Sequence, residues 1–455
     1  MIYDLQQTDD PRDIIHRSVQ ALAEGDVIGL PSETVYGVVA SALCPAAVTR
    51  LAELVGSSSA TGIPGAPQVV PQTQTAVPAR QATPGQVTVP GQVTVLGQVT
   101  VPGQVALCAR SSEAAGDFLV PRSKLARRLS ERCFPGPLTL IADCDRQQSA
   151  VGMLPPSVRA VLHHFAGPND GPRVDRAQAS DRVAFRVSNH RLLSHIHRYL
   201  TAPLVWGEFS LDDGSAITTA AKLDTYLSQK TGDNPLPVLL DDGVSRYGGA
   251  GTIVQLSGNS WQILREGVIQ RAAMNQFVKP VIVIVCTGNT CRSPMAEALL
   301  RDLLDRRFGR EDVARVLSAG VAAQRGHGAS PQSVEVMGRR GLDLTGHASQ
   351  PLDDPMMSMA DLVLTLTRQH RDAILAAWPN RKGRVFTLRR DGGDVSDPVG
   401  MHVDVYEQCA DQIREELEKW IDALDDDFFP IAPDKEPHKG HNGNEDADAR
   451  AIPEE

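Results

Sequence analysis

Near the N-terminus apolar positions recur at helical spacing in "RDIIHRSVQALAEG" and then run together in "VIGLP". The first pattern predicts a helix stopped by Gly25, the second a short buried strand. From Gly56 to about Val105 this patterning vanishes into "GSSSATGIPGAPQVVPQTQTAVPARQATPGQVTV" and four hexads, PGQVTV, PGQVTV, LGQVTV and PGQVAL. A period of six could coil into a β-helix, but four copies make barely more than one turn and bring no caps. Residues 57–106 therefore read as an extended, flexible insertion in a surface loop, whose length costs little closure entropy. Ordinary patterning resumes near Leu107 and runs to about Arg271, where "RAAMNQFVKP" reads as a break and places a domain boundary near Asn275. Beyond it the pattern alternates. The strand Val281 to Val285 precedes a helix at about Pro294 to Arg307, then "ARVLSAG" and a helix near Pro331 to Arg340. The strand "DLVLTLT", the helix "RQHRDAILAAW", the strand "RVFTL" and a helix from Val403 to Leu424 follow. Such alternation predicts a parallel sheet flanked by helices.

A chain of 455 residues exceeds what one core usually serves, so at least two domains are expected. The net charge of -10 changes meaning once located: ten acids from Asp425 onward face only Lys435, Lys439 and Arg450. Residues 426–455 thus read as an acidic disordered tail. The nearly neutral remainder gives no broad attraction to nucleic acid. No signal-like segment or 18-residue apolar run is present, and the seven cysteines are scattered and odd in number. Free thiols in a cytoplasmic protein, away from any membrane, are the expectation.

Candidate chemistry concentrates in "VIVIVCTGNTCRSPMAEALL", Val281 to Leu300. A strand that runs into a loop opening a helix gathers backbone N–H groups and the helix dipole around an anion. Cys286 at the strand end and Arg292 across a five-residue loop can both face a phosphate held there. The same positive field favours the thiolate, making Cys286 a nucleophile, while the planar fork of Arg292 follows the phosphoryl charge into the transition state. A zinc site is disfavoured, because Cys286 and Cys291 lack a second ligand pair and His163, His164, His195 and His197 show no zinc spacing with them. The bland alternative, a buried structural cysteine, fits the Cys-x5-Arg-Ser setting poorly.

These residues resemble the low-molecular-weight protein-tyrosine phosphatase family, whose loop reads Cys-x-Gly-Asn-x-Cys-Arg-Ser-Pro. Cys286, Gly288, Asn289, Cys291, Arg292, Ser293 and Pro294 fill every fixed position, with Thr287 and Thr290 between them. "DVSDPVG" offers Asp397 and Pro398 where the family keeps its general acid, and "SAG" and "ADLVLTLT" extend the likeness over 280–424. The resemblance implies a Rossmann-like phosphatase domain, 279–425, acting on a phosphorylated protein without a metal or cofactor. Cys286 would attack phosphorus, Asp397 would act as acid and then base, Ser293 would bond the thiolate and Asn289 would brace the loop. "CTGNTCRSPMAE" is most similar to the bacterial protein-arginine phosphatase branch, in which the residue at Thr290 favours phosphoarginine over phosphotyrosine. Val399 departs from that branch, which tends to keep an aromatic there, so both positions bear on specificity. Cys291 has two readings, a packed thiol or a reversible disulfide partner of Cys286; the resemblance favours the second.

"EGDVIGLPSETVYGVVASAL", "FPGPLTLIA", "VAFRV" and "AGTIVQL" to "LREG" together resemble the YrdC-like threonylcarbamoyl-AMP synthase family. The implied fold is a twisted α/β domain, 1–275, with Ser32, Thr34, Tyr36, Arg186, Thr252 and Arg265 as candidate pocket residues. An active domain of this kind would bind ATP, with or without Mg, but the cations that such a pocket needs for ATP are missing. Val55 and Ser57 stand where a Lys and an Arg belong, Gln104 where a later Lys belongs, and Glu208 where a hydroxyl belongs. Arg110 or Lys124 could substitute. The leading expectation is a degenerate domain fused to a phosphatase; the rivals are a bifunctional enzyme that also makes threonylcarbamoyl-AMP, and an RNA- or nucleotide-binding module with an attached tyrosine phosphatase.

Overall fold

The computed structural model describes residues 1–8, 10–56, 105–120, 122–162, 181–209, 211, 213–309, 313–424 and 426–430. Most of the hexad insertion, Gln104, and the tail from 431 onward lie outside these residues. Val105 and Ala106, assigned to the insertion from the sequence, instead begin the strand Val105–Cys108. The chain divides into two compact units: Met1–Phe118 with Pro135–Thr139 and Cys144–Gly251, and Leu119–Phe134 with Leu140–Asp143 and Thr252–Glu455.

In the first unit the helix Pro11–Glu24 starts on the Asp10 cap and ends where Gly25 turns left-handed at φ 91°. A mixed sheet follows the spatial order Ile2–Asp4, Leu239–Asp241, Ile28–Pro31, Tyr36–Ser41, Leu204–Gly207, Val105–Cys108 and Asp181–Arg186. Ile28–Pro31 and Tyr36–Ser41 are wholly buried, as continuous apolar runs require.

The second unit holds a four-stranded parallel sheet in the order Arg315–Gly320, Val281–Cys286, Leu362–Thr365 and Val385–Thr387. The central strand "VIVIVC" is buried along its length, with its side chains alternating between two cores. Ile282 and Ile284 join Met295, Leu299, Tyr406 and Ile413 on the face covered by the helices Arg292–Phe308 and Val403–Ala423. Val281, Val283 and Val285 join Met356, Met357 and Ile374 on the other, covered by Asp354–Met359 and Arg368–Ala377. All strands point their C-terminal ends the same way, and the loop 287–291 opens from the middle one.

Three features depart from the sequence reading. "RAAMNQF" is a helix, Arg271–Phe277, rather than a break; Glu266 caps its first N–H at 3.0 Å and Met274 is buried. Phe428 and Phe429, at the head of the acidic tail, are buried in the second unit, with the Phe308 and Phe429 rings 4.7 Å apart. The helix Lys124–Cys133 also belongs to the second unit. Its Arg128, 1% exposed, bonds Asp361 at 3.1 Å and the carbonyls of Val278 and Phe428 at 2.7 and 3.1 Å. Arg132 reaches the same carboxylate at 2.6 Å, and Asp361 also accepts from Val281 N at 2.8 Å. A buried charge of this kind is tolerable only because every partner is in place.

Candidate active site

Cys286 ends the central strand and is 3% exposed. Its Sγ lies 3.0 Å from Ser293 Oγ and accepts the backbone N–H of Asn289 at 3.2 Å. The sulfur thus has a hydroxyl and a backbone donor within hydrogen-bond reach. The helix Arg292–Phe308 starts directly beyond, so its first N–H groups and dipole point back at the loop.

The loop owes its curvature to two residues. Asn289 takes φ 55°, a left-handed conformation that Asn tolerates better than most residues, and it is fully buried. Its side-chain amide donates to Ser293 Oγ at 3.0 Å and Ser318 Oγ at 2.9 Å, and accepts from Gln350 N at 2.8 Å. His347 Nε2 lies 2.7 Å from its carbonyl. Gly320, the glycine of "SAG", lets the loop approach: a Cβ there would sit 2.4 Å from the Thr287 carbonyl oxygen. The following residues hold the loop from outside, as Val321 N donates to Cys286 O at 2.9 Å and Ala322 N to Thr287 O at 3.0 Å.

Arg292 is 4% exposed, donates to Val395 O at 3.1 Å, and forms a short ion pair with Asp397. Asp397 itself is 41% exposed at the side chain and accepts from Val399 N at 3.2 Å. A committed buried cation is therefore met by a carboxylate that solvent and ligand can reach. Val399 is 64% exposed, and Thr290 is half-buried with Oγ1 3.7 Å from Cys291 Sγ. The Cys291 thiol in turn lies 3.5 Å from Tyr406 OH, whose pKa burial and that bond push up to about 12. None of the seven cysteines is in a disulfide; burial pushes the Cys409 thiol up to about 12, which leaves it inert.

The structure thus gathers Cys286, Thr287, Asn289, Thr290, Cys291, Arg292, Ser293 and Asp397 around one loop. Sequence reasoning missed Gln350, His347 and His370. His370 is buried with Nε2 2.9 Å from Thr287 Oγ1, and His347 and His370 lie 58 and 83 positions from the loop residues they touch. No local pattern marks such partners. Among the described residues no cluster of three or more His, Cys, Asp or Glu is disposed to hold a metal.

The candidates in the N-terminal half fall in both units. Ser32 Oγ and Thr34 Oγ1 bond each other at 2.9 Å, and Tyr36 OH is tied to Asp241 at 3.1 Å and to the Gly243 carbonyl. Arg186, 3% exposed, lies 3.3 Å from Glu33 and 3.9 Å from Glu208, and stacks on Trp206 with 4.5 Å to the ring centroid. Thr252 and Arg265 belong to the second unit, where Thr252 Oγ1 donates to Ile269 O at 2.8 Å.

A family model described as low molecular weight phosphotyrosine protein phosphatase matches residues 281–428, and a YrdC-type model described as telomere recombination matches 102–267. The chain is 40% identical over 150 residues to a protein-arginine-phosphatase of Bacillus subtilis, a match covering 32% of this chain and 97% of that protein. It is 36% identical over 141 residues to a probable low molecular weight protein-tyrosine-phosphatase, EpsP, of Ralstonia nicotianae, covering 31% and 92%. The crystal structure of a YwlE mutant from Bacillus subtilis is 39% identical over 32% of this chain and 99% of that one, with a TM-score of 0.31. Among the described residues no helix is long and apolar enough to cross a membrane.

Proposed function

Because residues 281–428 make the chain a member of the low molecular weight phosphotyrosine protein phosphatase family, we propose that it dephosphorylates phosphoarginine side chains of proteins. The observation that carries the choice of arginine is Thr290. A half-buried hydroxyl sits in the loop between Asn289 and Cys291, where a guanidinium N–H can find an acceptor. Val399 is exposed and offers no ring for a substrate to stack upon, so the choice rests on Thr290. The 40% identity to a protein named for arginine dephosphorylation supports the same choice.

The geometry supplies the steps. A phosphoryl group entering the loop competes with Asp397 for the fork of Arg292 and displaces the carboxylate. Cys286 Sγ then forms an S–P bond as the P–N bond breaks, and Asp397, protonated, gives its proton to the leaving guanidine nitrogen. In the second step Asp397 takes a proton from water as that water's oxygen attacks phosphorus, the S–P bond breaks, and phosphate leaves. Ser293 and the Asn289 N–H hold the sulfur's charge at both ends of the cycle. Cys291 is suited to trap a peroxide-oxidised Cys286 as a disulfide.

The N-terminal half we read as a YrdC-like domain without synthase activity, since Arg186 already has carboxylate partners. Two assays decide the matter. Matched peptides carrying phosphoarginine or phosphotyrosine should show faster turnover of the former; equal rates refute the arginine reading. Incubation with ATP, threonine and bicarbonate should give no AMP adduct, and its appearance refutes degeneracy.

A further inference from the structure

His370 lies in the first turn of the helix Arg368–Ala377, with its own backbone N–H capped by Thr367 Oγ1 at 3.2 Å. It is 6% exposed. Its Nε2 is 2.9 Å from the hydroxyl of Thr287, the residue that follows the nucleophile. Its Nδ1 is buried with no hydrogen-bond partner. No step of the phosphoryl transfer described above uses this ring, and a half-satisfied buried imidazole next to a catalytic loop calls for an explanation.

The unequal surroundings of the two ring nitrogens fix its state. A proton on Nε2 lets the ring donate to Thr287 and leaves only a lone pair unmatched. A proton on Nδ1, alone or in the imidazolium, buries an N–H donor with nothing to accept it, which is the costlier arrangement. Burial, and after it the Arg292 guanidinium, also hold the ring's pKa below its usual value against the pull of Asp397 and Asp394. The resting form is the neutral Nε2–H tautomer. With Thr287 Oγ1 accepting that hydrogen, the Thr287 O–H must donate elsewhere, and Thr287 is exposed at the start of the anion loop.

We propose that His370 is a positioning residue: by donating through Nε2 to Thr287 Oγ1, it turns the Thr287 hydroxyl into a directed donor for the substrate's phosphoryl group. The assignment rests on the phosphatase reading of Cys286 and Arg292. The turn that carries His370 also anchors the segment before Asp397, because Arg368 N donates to Asp394 Oδ1 at 2.8 Å and Val395 N to Leu366 O at 2.8 Å. Damage to the acid would slow turnover and would not weaken phosphate affinity, since Asp397 competes with phosphate for Arg292. Loss of the Thr287 donor weakens affinity itself, so the two effects separate.

The test uses the full chain as wild type, Thr287→Val, His370→Phe, His370→Gln and the Thr287→Val/His370→Phe double variant. Inorganic phosphate affinity by calorimetry, kcat and KM on para-nitrophenyl phosphate, and melting temperature are measured for each. Thr287→Val and His370→Phe should each weaken phosphate binding about tenfold, the effect of one hydrogen bond to a charged group. The double variant should lose no more than either single one. His370→Gln, which keeps an N–H donor at similar reach, should recover most of the loss. Additive losses, or wild-type phosphate affinity in His370→Phe, would overturn the assignment. If His370→Phe does not fold, His370→Gln decides: a loss as large as that of Thr287→Val contradicts the role. A wild type that binds phosphate but leaves the ester intact counts against the phosphatase reading, and the affinity series still judges His370.

Discussion

Two buried candidate-site arginines, one in each half of the molecule, lie beside carboxylates, and only one of the two is built to let go. Arg292 is 4% exposed, but its acid partner Asp397 sits on an exposed turn, so an incoming phosphoryl group can take the carboxylate's place. Arg186 is equally buried, yet it lies between Glu33 and Glu208, both almost fully covered, with its guanidinium over Trp206. Glu33 is further tied by Ser188 Oγ and by Asn189 N at 3.1 Å. A guanidinium recognises phosphate only when exchanging one anion for another is cheap, and exchange is cheap at the surface and expensive in a closed core. The presence of an arginine at a family position therefore says little until its existing partners are known.

The largest effect expected is at the exchangeable acid. Asp397→Asn should lower kcat about 10^2 to 10^4-fold, the usual contribution of a general acid, while tightening inorganic phosphate binding because Arg292 loses its competitor. Unchanged or weaker phosphate affinity would break the displacement argument. The two arginines should then part company. Arg292→Ala should cost about 10^2 to 10^3-fold in kcat/KM with little change in melting. Arg186→Ala should leave phosphatase rates alone but destabilise the first unit by about 3–5 kcal/mol, since two buried carboxylates lose their cation. Equal losses of activity in the two variants would erase the contrast.

A smaller effect concerns acid. Burial, with the Arg110 guanidinium adding to it, lowers the His197 pKa to about 4, and its Nε2 has no hydrogen-bond partner. Because the folded value lies below the unfolded one, the folded state resists a proton that the unfolded chain accepts. Stability is full above pH 6.5 and falls as pH drops from there toward 4, by up to about 3 kcal/mol. Amide hydrogen exchange across the first unit should show this loss in the wild type and not in His197→Leu; the same pH dependence in both would assign it elsewhere.

The parallel sheet could be read from the chain because "VIVIV" is a continuous apolar run and the segments after it alternate in period. The loop could be read because Cys-x5-Arg-Ser after a strand has few other uses. What escaped notice depends on distant pairing. Arg128 sits in a helix whose five charged positions look solvated, yet Asp361 draws it inward. Phe428 and Phe429 follow three aspartates, and the surrounding charge hid their burial. Gln350, His347 and His370 reach the loop from other elements, so nothing near Cys286 announces them. Glu208 was legible as a departure from the family, whereas its approach to Arg186 needed coordinates.

We propose that Thr290 directs this loop toward a guanidinium. Measuring kcat/KM for one peptide in phosphoarginine and phosphotyrosine forms, with the wild type and Thr290→Ile, tests it most directly. The wild type should favour phosphoarginine, and Thr290→Ile should lower this preference by at least about tenfold, a loss on the scale of one hydrogen bond to a charged group, while phosphotyrosine turnover holds or rises. A preference that survives the substitution unchanged would contradict it.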